Sequence, residues 1–301
     1  MSLKQILTFS FFSTIFQVVA QTSVYEQPIY FSQFFNDLQV NSNNFKSNEI
    51  AIFSLGHKRN SNNFGGVNTS FFSALYNLDK TKENRKSVIG LQFINDKEGF
   101  LIRRNRFTPS YTHHIKVSPS LNLAGGIGVG FYNFVIKADE AFEGATAYAL
   151  DASFLLKLYS PKLNIQFSVN QATNSKVVPV QQEIILGRNF NLFTSYRFQL
   201  DDQFEIVPSI LNRYSRDQNT PYSGYLFAIG SHFIFNKIVS TGLSFEYENG
   251  FNFFAGLNDF KVGNSVINFE LSYFVPSSKS LRTNVQMFEL TLKYRLNRKK
   301  D

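Results

Sequence analysis

Between Glu49 and Leu296 the chain repeatedly alternates one apolar with one polar residue. Phe288, Leu290, Leu292, Tyr294 and Leu296 share one parity, and Glu289, Thr291, Lys293 and Arg295 the other. The same period of two sets Phe269, Leu271, Tyr273 and Val275 against Asn268, Glu270 and Ser272. It sets Leu243, Phe245 and Tyr247 against Ser244, Glu246 and Glu248, and Ile165, Phe167 and Val169 against Gln166, Ser168 and Asn170. Leu192, Tyr196, Phe198 and Leu200 stand opposite Ser195, Arg197 and Gln199. Successive side chains of a strand point to opposite faces, so each run predicts a strand with one apolar and one wet face. Polar clusters separate the runs and read as hairpin turns: Asn95-Asp96-Lys97-Glu98-Gly99, Ser160-Pro161-Lys162, Asp201-Asp202-Gln203, Asn236-Lys237 and Glu248-Asn249-Gly250. Counting the runs gives about fourteen strands, an even number within the range of bacterial barrels. Many runs reach the roughly ten residues that a tilted strand needs to cross the hydrocarbon.

This pattern predicts an all-β fold, a transmembrane antiparallel outer-membrane β-barrel over residues 47–301. A secreted β-sandwich would alternate as well. Here, however, the apolar faces carry bulky Phe, Leu and Ile in strand after strand, while the opposite faces carry Glu, Lys and Arg. That suits lipid outside and a polar lumen inside. A sheet in lipid must also close to satisfy its edges.

Composition supports strands over membrane helices. The chain holds 35 Phe and 14 Tyr, residues that favour strands. Charged residues reach only 17%, low for a soluble domain. With 0 Cys, no disulfide, thiolate nucleophile or Cys-based zinc site is possible. The net charge of +8 suggests a basic lumen or basic loops. The densest clusters, Arg103-Arg104-Asn105-Arg106 and Arg298-Lys299-Lys300, sit in no nucleic-acid motif, so no nucleic-acid partner is expected.

The N-terminus has the order of a cleavable signal peptide over residues 1–20: Lys4, an apolar stretch from Ile6 to Val19, then small residues ending at Ala20. The following segment, 21–46, shows no clean period and is rich in Asn, Ser and Gln. It reads as a periplasmic arm or plug-like segment, with Phe31, Phe34 and Phe35 as candidate contacts to a partner or the lumen.

Candidate chemistry is sparse. His113 and His114 are adjacent on a strand, so they face opposite ways and poorly share an ion. Ser231 and His232 fail as a nucleophile–base pair for the same reason. Asn95, Asp96 and Glu98 suggest a calcium loop but lack its longer ligand series. The Gly125, Gly126, Gly128 and Gly130 run lies inside a strand with no helix after it, and suits curvature or close packing against a plug better than a phosphate loop. The reading is a non-enzyme with no cofactor and no metal.

Several segments, in order, resemble the PorP/SprF family, outer-membrane proteins of the type IX secretion and gliding machinery of Bacteroidetes. Phe31-Ser32-Gln33 is similar to the start of mature family members. Gly90 to Gly99 resembles a strand ending in Asn-Asp-x-x-Gly, here Asn95, Asp96 and Gly99. Ser110 to Ile115, Leu123 to Gly130, Leu150-Asp151-Ala152 with Phe167 to Asn170, and Pro208-Ser209 follow in the family's order. Phe288-Glu289-Leu290-Thr291-Leu292 is similar to the terminal His-Glu-Ile-x-Leu strand. Departures are Asn41-Ser42-Asn43 in place of Asn-Pro-Ala, and Phe288 in place of His, which makes this a divergent member. The resemblance implies a bacterial outer-membrane barrel that supports export or surface attachment of a secreted adhesin. It also implies two partners: a periplasmic peptidoglycan-binding lipoprotein and the adhesin's C-terminal domain. The same barrel would also fit a passive or solute-specific channel in membrane lipid.

Overall fold

The computed structural model describes residues 49–60, 67–79, 85–138, 143–179, 183–216, 224–247, 249–277 and 286–298. The expected signal peptide and the 21–46 segment lie outside them. Every regular element among the described residues is a strand. The first half holds β1 (Glu49–Asn60), β2 (Asn68–Asn77), β3 (Arg85–Glu98), β4 (Ile102–Lys116), β5 (Asn122–Ile136), β6 (Ala145–Tyr159) and β7 (Leu163–Asn170), then the short β8 (Lys176–Val177) and β9 (Ile184–Ile185). The second holds β10 (Arg188–Tyr196), the short β11 (Phe198–Gln199), β12 (Phe204–Arg216), β13 (Gly224–Phe235), β14 (Val239–Glu246), β15 (Gly250–Val262), β16 (Ser265–Pro276) and β17 (Met287–Asn297).

Fourteen long strands pair antiparallel, and the β10–β12 pairing closes the sheet into a barrel. β11 continues β10 beyond Arg197, because Ser195 opposite Ser209 and Phe198 opposite Ile206 share one register. The first and last strands are neighbours, with Leu55 opposite Leu292. Closure matters because lipid offers no partner to an unpaired N–H or C=O. The sequence expectation of about fourteen strands, an even number for a bacterial barrel, agrees with this.

Parity decides the face. On β17, Phe288, Leu290 and Leu292 are exposed on the outside, while Glu289, Thr291 and Lys293 are buried inside. The alternations on β7, β14 and β16 resolve the same way. Local turn chemistry follows the sequence at three places. Asn236 and Lys237 both take positive φ, 50 and 62, as a two-residue hairpin turn requires. Asp201 Oδ1 accepts from the Gln203 and Phe204 amides at 2.8 and 2.7 Å. Ser160 Oγ accepts from the Leu163 amide at 2.8 Å. Such side-chain bonds to nearby amides fix a turn.

One expectation is corrected. Asn95 to Glu98 are not a turn: they finish β3, and only Gly99, at φ 69, opens the turn to β4. Asn95 Nδ2 donates to Asn105 Oδ1 at 2.5 Å and Asp96 Oδ1 accepts from Thr69 Oγ1 at 2.6 Å, so these polar groups bond across the sheet instead of within the loop. Among the described residues the inward glycines of β5 pack closely against β4. A Cβ on Gly130 would overlap the carbonyl oxygen of Phe107, and one on Gly126 would lie 2.7 Å from Thr112 Oγ1. They let β5 approach β4, whose Pro109 has no N–H to donate, and no β4–β5 pairing is made between Phe107 and Ser110. Glu248, expected in a turn, lies outside the described residues.

The connections define orientation. At the rim holding Glu49 and Asn297 most are brief, such as 160–162, 200–203, 236–238 and 263–264, while 78–84 is longer. At the other rim they include 137–144, 277–286 and the long 171–187. Bacterial barrels keep short turns in the periplasm and longer loops outside, which assigns the rim with Glu49 and Asn297 to the periplasm.

Candidate functional site

On the inner wall, oppositely charged side chains converge. Near the outer rim Arg104 Nη2 bridges Asp96 Oδ2 and Glu98 Oε2, both at 2.8 Å. One inward step along β4, Arg106 Nε meets Asp151 Oδ2 of β6 at 2.5 Å, and its Nη2 donates to Ser153 Oγ at 2.9 Å. At the periplasmic rim Arg295 Nη1 lies 3.1 Å from Asp259 Oδ1 and 3.7 Å from Glu49 Oε1. On the same inner surface Lys58 stands opposite Glu289 across the β1–β17 pair. Asn189 Nδ2 donates to Gln171 Oε1 at 2.6 Å and Ser215 Oγ donates to Asn189 Oδ1. Taking ions out of water costs several kcal/mol each unless they are paired, which is why these pairs sit in contact.

The wall is not uniformly wet, which corrects the expectation of one apolar and one polar face. Phe193, Leu211, Leu226 and Ala228 form a buried inward cluster, and Ile52, Leu75 and Val88 another. The largest is built by a loop. Between β7 and β10 the chain turns in, and β8 and β9 pair as a two-stranded hairpin. Its Val177, Ile184 and Leu186 pack on Tyr132 and Phe134 of β5 and Ala149 of β6. Val177 and Leu186 are each 1% exposed. Burying these side chains removes apolar surface from water, and that holds the hairpin against the inner wall.

Inward polar groups are buried too. Ser153, Lys157, Asn189 and Asn252 have no exposed surface and Arg213 keeps 1%. A barrel this wide with side chains merely lining it would leave them in water. These positions on the inner wall are therefore covered.

The motif residues fall at separate places. Asn95 faces outward, Asp96 inward on the Arg104 cluster, Gly99 in the outer β3–β4 turn, and Glu289 inward on β17 at 1% exposure. Asp96 and Glu98, read as possible calcium ligands, are both taken by Arg104. Phe31, Ser32, Gln33, Phe34 and Phe35 lie outside the described residues. His113 faces outward, where Ser87 Oγ is 3.2 Å from its Nδ1, and His114 inward, 3.0 Å from Tyr159 Oη. His232 turns inward onto the Phe254 ring, 5.8 Å between centroids. Among the described residues no three His, Cys, Asp or Glu side chains gather as a metal site. Sequence reading missed Arg104, Arg106 and Asp151 as a paired group. The one signal was their even spacing on β4, which puts both arginines on a single face.

A closed antiparallel barrel of fourteen strands, lipid-facing outside and charged inside, is an outer-membrane protein. The chain matches the family described as type IX secretion system membrane protein PorP/SprF over residues 23–294, and it belongs to that family. Membership implies protein partners within the secretion machinery. Among solved structures the chain is similar to the CymD monoaromatic hydrocarbon channel, with a TM-score of 0.52 and 11% identity over 84% of this chain and 90% of that one. It is similar to the toluene transporter TbuX of Ralstonia pickettii, with a TM-score of 0.53 and 12% identity over 88% and 93%. A FadL homologue of Pseudomonas aeruginosa gives 0.52 and 8% over 83% and 90%. At such identities the likeness is one of fold. No curated protein matches the chain in sequence.

Proposed function

We propose that this barrel is a non-enzymatic component of type IX secretion that works by holding other proteins, supporting the export or surface attachment of a secreted adhesin. Its partners in this reading are a periplasmic peptidoglycan-binding lipoprotein and the C-terminal domain of the adhesin. Family membership supports the direction. The observation that carries a holding role over a conducting one is the covered inner wall, where inward Lys157, Asn189 and Asn252 have no exposed surface. A channel needs a continuous wet path, and polar side chains along it would be solvated.

The test joins two measurements on the full-length protein. Reconstituted in a planar bilayer, it should show no steady single-channel conductance. Tagged and extracted from native membranes, it should co-purify with a lipoprotein and a large secreted protein. Deleting residues 22–46 behind the signal peptide, with Phe31, Phe34 and Phe35, should leave the barrel in the membrane and lose a partner. Robust conductance with no protein partner would replace this reading with the channel.

A further inference from the structure

The outward face of β1 to β5 changes character near the outer rim, in three successive cross-strand rows. The row nearest mid-membrane is Leu55, Phe72, Phe93, Phe107 and Phe131. Phe107 and Phe131 stack with centroids 5.4 Å apart. One step further out the row is His57, Ser70, Asn95, Asn105 and Asn133. Its members bond sideways: His57 Nδ1 to Ser70 Oγ at 2.9 Å, Asn95 Nδ2 to Asn105 Oδ1 at 2.5 Å, and Asn105 Nδ2 to Asn133 Oδ1 at 3.0 Å. The outermost row is Arg59, Asn68, Lys97, Arg103 and Val135.

Parity separates the charges here. Asp96 and Glu98 turn inward to Arg104, while Lys97 and Arg103 turn outward. None of Arg59, Lys97 and Arg103 makes an ion pair among the described residues. The rest of this rim presents rings outward: Phe288, Tyr247, Tyr225 and Tyr214. Such rings mark the membrane–water interface of barrels. Arg188 on β10 also lies at this rim, and its Nε donates to the Ala172 carbonyl at 2.9 Å.

We propose that this face holds the phosphorylated headgroup of an outer-leaflet glycolipid. The three rows match such a lipid in depth. Acyl chains lie on the phenylalanine row, sugar hydroxyls and amides meet the hydroxyl and amide row, and phosphates meet Arg59, Lys97 and Arg103. Because barrel strands tilt, the cationic row slants through the headgroup layer and offers charge at more than one depth. Guanidinium groups bind phosphate oxygens in pairs, which favours phosphate over a diffuse negative surface. The occupant is anionic because three unpaired cations share one row that holds no carboxylate.

The experiment uses the full-length barrel in detergent, with bis-phosphorylated lipid A, its dephosphorylated form and phosphatidylglycerol as probes, read by native mass spectrometry. Bound lipid A should exceed both others by roughly tenfold, as expected for paired guanidinium–phosphate bonds. The triple variant Arg59→Gln, Lys97→Gln, Arg103→Gln should lose that preference. Arg188→Gln should keep it. All proteins should show the same heat-modifiable mobility in gels, which separates lost binding from lost folding. If a triple variant fails that check, the single Arg103→Gln variant is read instead and should lower lipid A retention. Equal retention by the folded variants overturns the proposal. So does equal binding of phosphatidylglycerol, or loss of a co-purified acidic protein while lipid A stays bound.

Discussion

Leu292 and Lys293 are neighbours in the chain and face different solvents: Leu292 is 39% exposed on the outside, and Lys293 is 6% exposed inside. One added side chain reports the difference. Leu292→Arg puts a guanidinium against lipid and should cost roughly 2–4 kcal/mol near the midplane. Lys293→Arg keeps a cation within the polar interior and should cost well under that. Urea unfolding in lipid vesicles measures both, and equal losses would mean that the faces are misassigned. At this scale the sequence was legible wherever apolar and polar residues strictly alternate. It was silent where two rings are adjacent. Phe71 and Phe72 cannot both face lipid, and Phe71 turns inward against Ile94. Nor does parity tell which charges meet. Asp151 reaches Arg106 only because β5 passes between them with a fixed register on each side.

Among elements, the contact of β5 with β4 is the most constrained. Gly130 faces the Phe107 carbonyl with no room for a Cβ, whereas Gly125 has open space at that position. Gly130→Ala should therefore weaken the barrel and lower the temperature at which its compact gel band is lost. Gly125→Ala should leave that temperature nearly unchanged. Matching temperatures for the two variants would show that β5 can shift away from β4 at little cost. The glycine run was visible in the sequence. Its partner was not, because β4 meets that run through a hairpin whose register depends on the turn at 117–121. The β8–β9 hairpin was hidden for a similar reason. Val177 and Ile184 sit in a polar connection, and only their docking on Phe134 reveals a purpose for them.

For the whole molecule, orientation follows from the unequal rims. An epitope inserted after Ala138 should bind antibody on intact cells, and one inserted after Asp202 only after the outer membrane is permeabilised. Labelling of both on intact cells, or of the second alone, would reverse or undo the assignment. A periplasmic lipoprotein would then have to meet the brief turns, and a surface adhesin the longer connections. The number of strands was readable from the sequence because every run had to cross one slab of fixed thickness. The covering of the inner wall was not, since period and parity give the direction of a side chain and say nothing of what lies over it.

The seam between β1 and β17 sets a rule of timing. Glu49 pairs with Asn297, so the ring is completed by the first and last strands of the barrel, far apart in the chain. Contacts of such separation form late, because the loop between them must be closed first. Until then β1 and β16 each present a bare edge able to pair with any passing strand. A chain stopped before Met287 lacks its final stave, and the vessel stays open however well the other thirteen are made. Formation of this barrel is thus all or nothing: β17 decides whether the edge of β1 is protected from aggregation.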